Sequence, residues 1–363
     1  MKTAVKAALP VFALLLVACD DTAIQAAKGT EEAAEQEPDL SAEPVATQGL
    51  HQPTLDRAIG MAEALPQLNG MVIMRDGETL LERRFNDGAP LDRAVNIKSA
   101  SKSVLSALVG IAIERGVLDG TDQPVVSVLS ADAPADPDPR LARLTVGNLL
   151  SMQAGLERTS GANYGAWVSS RDWVADALGR PFVDEPGGRM LYSTGNTHLL
   201  SAMLTRASGR DTLSLAREWL GAPLGISIPA WATDPEGIYF GGNDMRMSPR
   251  DLARFGELYR NDGVLDDTRI LPEGWVAQSW TPRAVSPWSG EDYGYGWFVS
   301  ESGDHPLYYG WGYGGQMVYV LPSLELTVVM TSDIDAERGS DHIGALRRVL
   351  DEGIVPAAER GAA

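Results

Sequence analysis

Between Asn96 and Ile113 the chain reads NIKSASKSVLSALVGIAI, and beyond Lys102 it is almost entirely apolar. A helix carrying Val104, Leu105, Ala107, Leu108, Val109, Ile111, Ala112 and Ile113 has nearly no polar face to give to water, so the pattern predicts a helix buried inside the fold. Ser99 and Lys102 fall at its first turn. Three residues apart on a helix is one face, which sets an amine within reach of a hydroxyl. A serine hydroxyl is a poor nucleophile until a base takes its proton, and a lysine is such a base once burial lowers its pKa toward neutrality. The first-turn amide N–H groups, which have no partner within a helix, are candidate donors to a developing oxyanion.

S-x-x-K alone also fits a plainer arrangement, with Ser99 capping a core helix and Lys102 on its solvated edge. The use of lysine in the rest of the chain weighs against that. The lysines are Lys2, Lys6, Lys28, Lys98 and Lys102, and every other basic position is arginine. Arginine holds its proton too tightly to act as a base. The body of the chain therefore places its two lysines beside Ser99.

Around this helix the pattern alternates between strand and helix. Gly70 to Phe85 carries apolar stretches on both sides of Asp76-Gly77, a hairpin signal. The helix is expected to end near Gly116. From Gln123 to about Trp231 the reading is mainly helical: Thr145 caps a helix through Met152, and further helices cover Asp172 to Leu178, Thr197 to Ala207 and Leu213 to Leu220. Ser248-Pro249-Arg250-Asp251 is a well-formed helix start, and Leu271-Pro272 is expected to open another short helix through Trp275. Tyr293–Val299, Leu307–Trp311, Gln316–Leu321 and Leu324–Thr331 read as successive strands, with a corner at Pro322-Ser323. His342 to Leu350 reads as a closing amphipathic helix.

S99-A-S-K102 followed by the apolar helix resembles the first motif of the serine hydrolases that include class C β-lactamases, penicillin-binding DD-peptidases and β-lactamase-like esterases and amidases. L149-L-S-M-Q-A-G-L156, Y192-S-T-G-N196 and G241-G-N-D-M-R-M-S-P-R-D-L-A-R-F-G256 match the same family in the same order. The resemblance implies an α/β fold of the β-lactamase/transpeptidase type, an antiparallel sheet flanked by helices with an inserted mainly helical domain. In that scheme 49–122 and 241–357 form a split catalytic domain and 123–240 the insertion. Tyr192 falls on the family's Tyr-x-Asn position, which implies a phenol beside Lys102 that relays the Ser99 proton. The third residue of that motif is here Thr194, with Asn196 two further on; either is a candidate to orient the substrate or Lys102.

The family's third element, Lys-Thr-Gly or His-x-Gly, has its nearest equivalent in Gly310-Trp311-Gly312, which lacks a cation. The N–H near Tyr313 is a candidate second oxyanion donor. Tyr308, Tyr309, Trp311 and Tyr313 suggest an aromatic-lined pocket, and they equally suit a structural aromatic patch. Tyr164 is a candidate for the cleft by loose analogy with amide hydrolases of nylon-like oligomers. The expected activity is cleavage of an ester or amide in a small molecule through an acyl-enzyme on Ser99. The alternatives are a β-lactamase or DD-carboxypeptidase acting on penicillins or peptidoglycan stems, and a catalytically silent cell-envelope binding protein of the same fold.

Residues 1–19 read as a targeting segment: Lys2 and Lys6, an apolar run from Ala7 to Val17, and L16-V-A-C19, which resembles the lipobox of bacterial lipoproteins. An ordinary secretory signal is the alternative. Cys19 is the chain's one cysteine, so no intramolecular disulfide forms. Similarity to lipoproteins implies lipid on Cys19 and anchoring at the periplasmic or outer face of a bacterial membrane; Asp20 resembles the signal that keeps some such proteins at the inner membrane. Residues 20–48 read as a disordered acidic tether. Without Lys2 and Lys6 the chain carries 28 basic against 49 acidic side chains, which disfavours nucleic acid and anionic lipid as partners. His51, His198, His305 and His342 form no metal-ligand motif, and the glycine clusters lack the context of nucleotide loops, so neither metal nor cofactor is expected.

Overall fold

The computed structural model describes residues 49–335 and 341–361. The expected targeting segment with Cys19 and the tether lie outside the described residues.

An eight-stranded antiparallel sheet forms the backbone of the fold. Its strands in chain order are β1 (Leu68–Arg75), β2 (Glu78–Arg84), β3 (Ala284–Val285), β4 (Asp292–Tyr293), β5 (Phe298–Ser302), β6 (His305–Gly312), β7 (Gln316–Leu321) and β8 (Leu326–Ser332). Across the sheet the order is β2-β1-β8-β7-β6-β5-β4-β3. The hairpin expected at Asp76-Gly77 joins β1 to β2, with Asp76 at φ 47° and Gly77 at φ 80°. β1 pairs on its other side with β8, Val72 opposite Val329.

The two-residue period of these strands divides the core in two. Met71, Ile73, Met317, Tyr319, Val328 and Met330 point to one face, which is covered by the terminal helices Gln52–Glu63, His342–Val349 and Val355–Gly361. Val72, Met74, Val318, Val320 and Val329 point to the other, against the helices Ser101–Glu114 and Pro249–Arg260. The result is helix on sheet on helix. The Ser101–Glu114 helix is buried continuously from Ser101 to Ala112, as its lack of a polar face requires. Each of Val104, Leu105, Leu108 and Val109 is wholly buried, and such burial stabilises by about 1.5–3 kcal/mol per side chain.

Helices of the middle of the chain cover the outer side of this buried helix. Val146–Leu150 starts at a Thr145–Asn148 capping box, Trp173–Leu178 at an Asp172 cap, and Thr194–Ser208 ends where Gly209 takes φ 68°. Ser248 caps Pro249–Arg260 through the N–H of Asp251. Among the described residues no helix is long and apolar enough to cross a membrane.

Several boundaries differ from the sequence expectation, each for a local reason. Tyr293–Val299 is not one strand. Gly294 to Trp297 form the turn between β4 and β5, pressed so closely inward that a Cβ on Gly294 would stand 2.0 Å from the Ser279 carbonyl oxygen. The helix expected from Leu271-Pro272 begins only at Trp275, after Gly274 at φ 77°. β8 begins at Leu326, because Pro322–Leu324 winds into a 3-10 turn and Glu325 takes φ 55°. The helix from His342 does not stop at Leu350. It passes through a π-turn, Leu350–Ile354, into Val355–Gly361, and Gly353 there packs onto Ala58. Leu213–Leu220 likewise changes from an α-helix, Thr212–Ala216, to a π-turn at Arg217–Gly221.

Candidate active site

Ser99 sits one step ahead of where the sequence placed it. Lys98–Ala100 is a 3-10 turn and the α-helix begins at Ser101, so Ser99 lies before the helix rather than in its first turn. Lys98 is in the left-handed region at φ 49°. The turn is pinned by side chains: Asn96 Oδ1 accepts from the Lys98 N–H at 2.9 Å, Asn96 Nδ2 donates to Asp244 Oδ1 at 2.7 Å, and Ser101 Oγ donates to the Lys98 carbonyl at 2.7 Å. Lys98 is paired with Asp244 across 3.5 Å. The N–H of Ala100 donates to Ile97 O and that of Ser101 to Lys98 O, so these two are committed to the turn and are not the oxyanion donors expected of a first helical turn. Ser99 itself remains partly exposed.

β6 runs alongside this turn because its glycines allow it. A Cβ on Gly312 would meet Ile97 O at 2.2 Å, and one on Gly310 would meet Ser103 Oγ at 2.9 Å. No larger residue permits that approach without moving the serine turn.

Lys102 is 1 % exposed. Its Nζ donates to Ser99 Oγ at 3.1 Å and to the carbonyl of Gly242 at 2.6 Å. Burial, which disfavours the ammonium, lowers its pKa to about 7. The amine also lies 4.9 Å from the centroid of the Tyr192 ring. Burial pushes the Tyr192 phenol up to about 12, against a hydrogen bond with Ser99 that acts the other way. Near neutral pH, then, the amine can give up its proton while the phenol keeps its hydrogen. The two groups flanking Ser99 have opposite abilities, one to take a proton and one to give it.

The remaining sequence candidates divide. Thr194 and Asn196 are buried on the first turn of Thr194–Ser208, yet neither holds Lys102. Thr194 bonds Ser160, Oγ1 to Oγ at 3.1 Å, and Asn196 Nδ2 reaches Met152 Sδ at 3.9 Å. The acceptor that holds the amine is a backbone carbonyl, Gly242 O, which no side-chain motif announces. Tyr164 opens a short helix, Tyr164–Val168, and its hydroxyl accepts from Asn243 Nδ2 at 2.8 Å, next door to Gly242.

The expected aromatic pocket is not a single wall. Strand alternation sends Tyr308 onto Trp280, stacked at 3.9 Å, and Tyr309 to the opposite face against Phe298 at 5.0 Å. Trp311 is half-buried beside Phe298, and Tyr313 is 49 % exposed in the turn after β6. Trp288, which the sequence reading passed over, is 46 % exposed and packs edge-on against Tyr192 at 5.5 Å.

His198 is a core residue bonded to Asp234. Asp132, Asp172 and Glu236 bring ligand atoms within 4.8 Å of one another, but Arg206 is ion-paired to both Asp132 and Glu236 and supplies the countercharge.

The β-lactamase family model matches residues 55–351. Among curated proteins, the 6-aminohexanoate-dimer hydrolase of Paenarthrobacter ureafaciens is 27% identical over 225 residues, covering 57% of this chain and 56% of that protein. The chain thus matches little more than half the length of that relative. Among solved structures, EstCE1, a hydrolase with promiscuous acyltransferase activity, superposes with a TM-score of 0.67 at 19% identity, over 85% of this chain and 99% of that one. A penicillin-binding protein homologue from Caulobacter crescentus gives 0.67 at 17% identity, over 84% and 97%. At such identities the structural likeness is one of fold.

Proposed function

The chain belongs to the β-lactamase family, and on that premise we propose that it is a serine hydrolase that cleaves an ester or amide of a small molecule through an acyl-enzyme on Ser99. One observation carries the reading: a lysine almost wholly buried, with its pKa brought to about 7, donates to the hydroxyl of a partly exposed serine. Burying an ammonium is unfavourable, and a site that keeps one with no carboxylate among the described residues within bonding distance of its amine is suited to proton transfer rather than to holding the fold together.

In this reading Lys102 Nζ takes the Ser99 proton as Oγ attacks the carbonyl carbon. The C–O or C–N bond then breaks, and the departing oxygen or nitrogen is protonated by Tyr192, which Lys102 reprotonates. Water, deprotonated by the same amine, hydrolyses the ester to Ser99 and returns the free hydroxyl. Ester or amide is favoured over penicillin or peptidoglycan stems by the strand beside the serine. There Gly310-Trp311-Gly312 offers no cation to a substrate carboxylate, and Trp288 and Tyr313 leave apolar surface exposed.

A fluorophosphonate probe tests the nucleophile: the wild type should be labelled and should hydrolyse short-chain aryl esters, and Ser99→Ala should lose both. Equal labelling of both forms would refute the assignment, and a folded wild type inert to probe and esters would favour a silent binding protein. Anchoring by lipid on Cys19 is part of the same proposal. It predicts incorporation of radiolabelled palmitate that disappears in Cys19→Ala, and retained labelling there would overturn it.

A further inference from the structure

Behind Lys102 lies a titratable pair that the chemistry above does not use. The side chains of His198 and Asp234 are both 0% exposed, and His198 Nε2 stands 3.0 Å from Asp234 Oδ2. Trp167, Trp173 and Phe240 surround the imidazole at centroid distances of 5.8, 5.4 and 5.9 Å. The other ring nitrogen, Nδ1, accepts from the N–H of Gly241 at 3.3 Å. A nitrogen that accepts a backbone N–H carries no hydrogen of its own, so the network assigns the neutral tautomer with its hydrogen on Nε2, donated to the carboxylate.

Asp234 is held in turn. Its Oδ1 accepts from the N–H groups of Glu236 and Ile238 at 2.9 and 2.8 Å. Burial works against its charge, but the bonds from His198 and the backbone outweigh it and keep the carboxyl below the usual carboxylate range.

The residue after the one that His198 grips is Gly242, whose carbonyl holds Lys102. The doublet is pressed onto the Thr194–Ser208 helix: a Cβ on Gly241 would stand 2.1 Å from Thr197 O, and one on Gly242 would stand 2.1 Å from Thr197 Oγ1 and 3.0 Å from Lys102 Cγ. Buried polar pairs of this kind do little for net stability compared with apolar packing, so their placement calls for another explanation.

We propose that His198 and Asp234 are positioning residues for the base: through the Gly241 N–H the pair anchors the Phe240–Gly241 peptide, the close-packed glycine doublet carries that constraint to the Gly242 carbonyl, and this carbonyl aims Lys102 Nζ at Ser99. The pair touches neither substrate nor Ser99. Its kinetic role rests on the hydrolase reading, whereas the coupling to Lys102 does not.

The test reads Lys102 directly. The full-length chain has five lysines, so ε-13C-lysine labelling gives five NMR titrations, with Lys102 assigned by its loss in Lys102→Arg. His198→Gln keeps a donor for Asp234 but withdraws the acceptor from Gly241. His198→Asn places an amide oxygen near Nδ1 and keeps that acceptor while losing Asp234. Asp234→Asn is isosteric and donates an N–H to Nε2, which moves the ring hydrogen to Nδ1 and sets it against the Gly241 N–H.

An acceptor bonded to an ammonium raises its pKa, so releasing Gly242 should lower the Lys102 titration. The expected drop is about one unit in His198→Gln and Asp234→Asn, with kcat on an aryl ester reduced about 10- to 100-fold at unchanged KM. His198→Asn should stay near wild type in both readouts. An unmoved or raised Lys102 titration in the folded Asp234→Asn protein overturns the proposal, as does an equal shift in all three variants. If the wild type turns over no ester and Ser99 is unreactive while Lys102 still follows His198, the hydrolase reading fails and this inference stands.

Discussion

Replacing Lys102 by methionine should abolish turnover and at the same time stabilise the protein, by an amount that depends on pH. The side chain is 1 % exposed, and its pKa falls from 10.5 in an unfolded chain to about 7 in the folded one. Unfolding therefore takes up a proton throughout the window between those two values. The sign follows: the contribution of this lysine to stability is least unfavourable above its unfolded pKa and worsens as pH falls toward the folded one. At about 1.4 kcal/mol per pKa unit, the opposition amounts to about 4 kcal/mol at pH 7 and about 2 kcal/mol at pH 9.

Methionine has a similar volume and no charge, but it leaves Gly242 O without its donor, at about 1 kcal/mol. The net gain should be about 3 kcal/mol at pH 7, shrinking by about 2 kcal/mol at pH 9. Urea denaturation of wild type and Lys102→Met at both pH values measures it, because the difference between the two proteins isolates this one group. A stability difference that is the same at pH 7 and pH 9 would refute the reasoning. So would a methionine variant less stable than wild type at pH 7.

The same values set the pH–rate profile. kcat/KM should rise through about pH 7 as Lys102 loses its proton and stay level far into the alkaline range, since the Tyr192 phenol is held at about 12. An acid limb centred near pH 5, in the carboxylate range, would point to another base. Tyr192→Phe should lower kcat about 100-fold or more with little change in KM, because the lost group acts on the leaving atom; steady-state kinetics on an ester and an amide decide it, and an unchanged kcat on both would remove Tyr192 from the proton path.

What could be read in the sequence was what local chemistry decides. The buried helix follows from its own apolar run, the β1–β2 hairpin from Asp76-Gly77, and two helix starts from Thr145 and Ser248, whose side chains accept from backbone N–H groups three residues on. The Ser99–Lys102 contact was legible for the same reason. What escaped depends on residues distant in the chain. The lysine's second partner is a carbonyl 140 residues away, and a carbonyl leaves no trace in a residue's identity. The one available signal was the Gly241-Gly242 doublet, since adjacent glycines mark close backbone approach. The sequence does not show that Ser99 lies in the 3-10 turn just before the helix, because the left-handed Lys98 and its Asn96 clasp are settled by Asp244, on a separate segment. The Tyr293–Val299 run has strand-like residues, and its bend comes from Gly296 at φ 81° together with close packing on the Lys102 and Ser279 carbonyls.

The pairing of β1 with β8 sets a schedule for making this protein. Leu68 and Ser332 are partners in the finished sheet, yet a ribosome must add more than two hundred residues between them. Until Leu326–Ser332 emerges, β1 has β2 on one side and an open edge of Met71, Val72 and Ile73 on the other. Such an edge is a template for strands of other chains, and non-local closure of this kind is slow. The buried helix that carries Lys102 lies between those two strands in sequence, so the face on which it rests is finished only after its own synthesis is long past. A cell making this chain must shield the first hairpin for nearly the whole of translation, and a truncation before Leu326 should convert a stable sheet into an aggregating one.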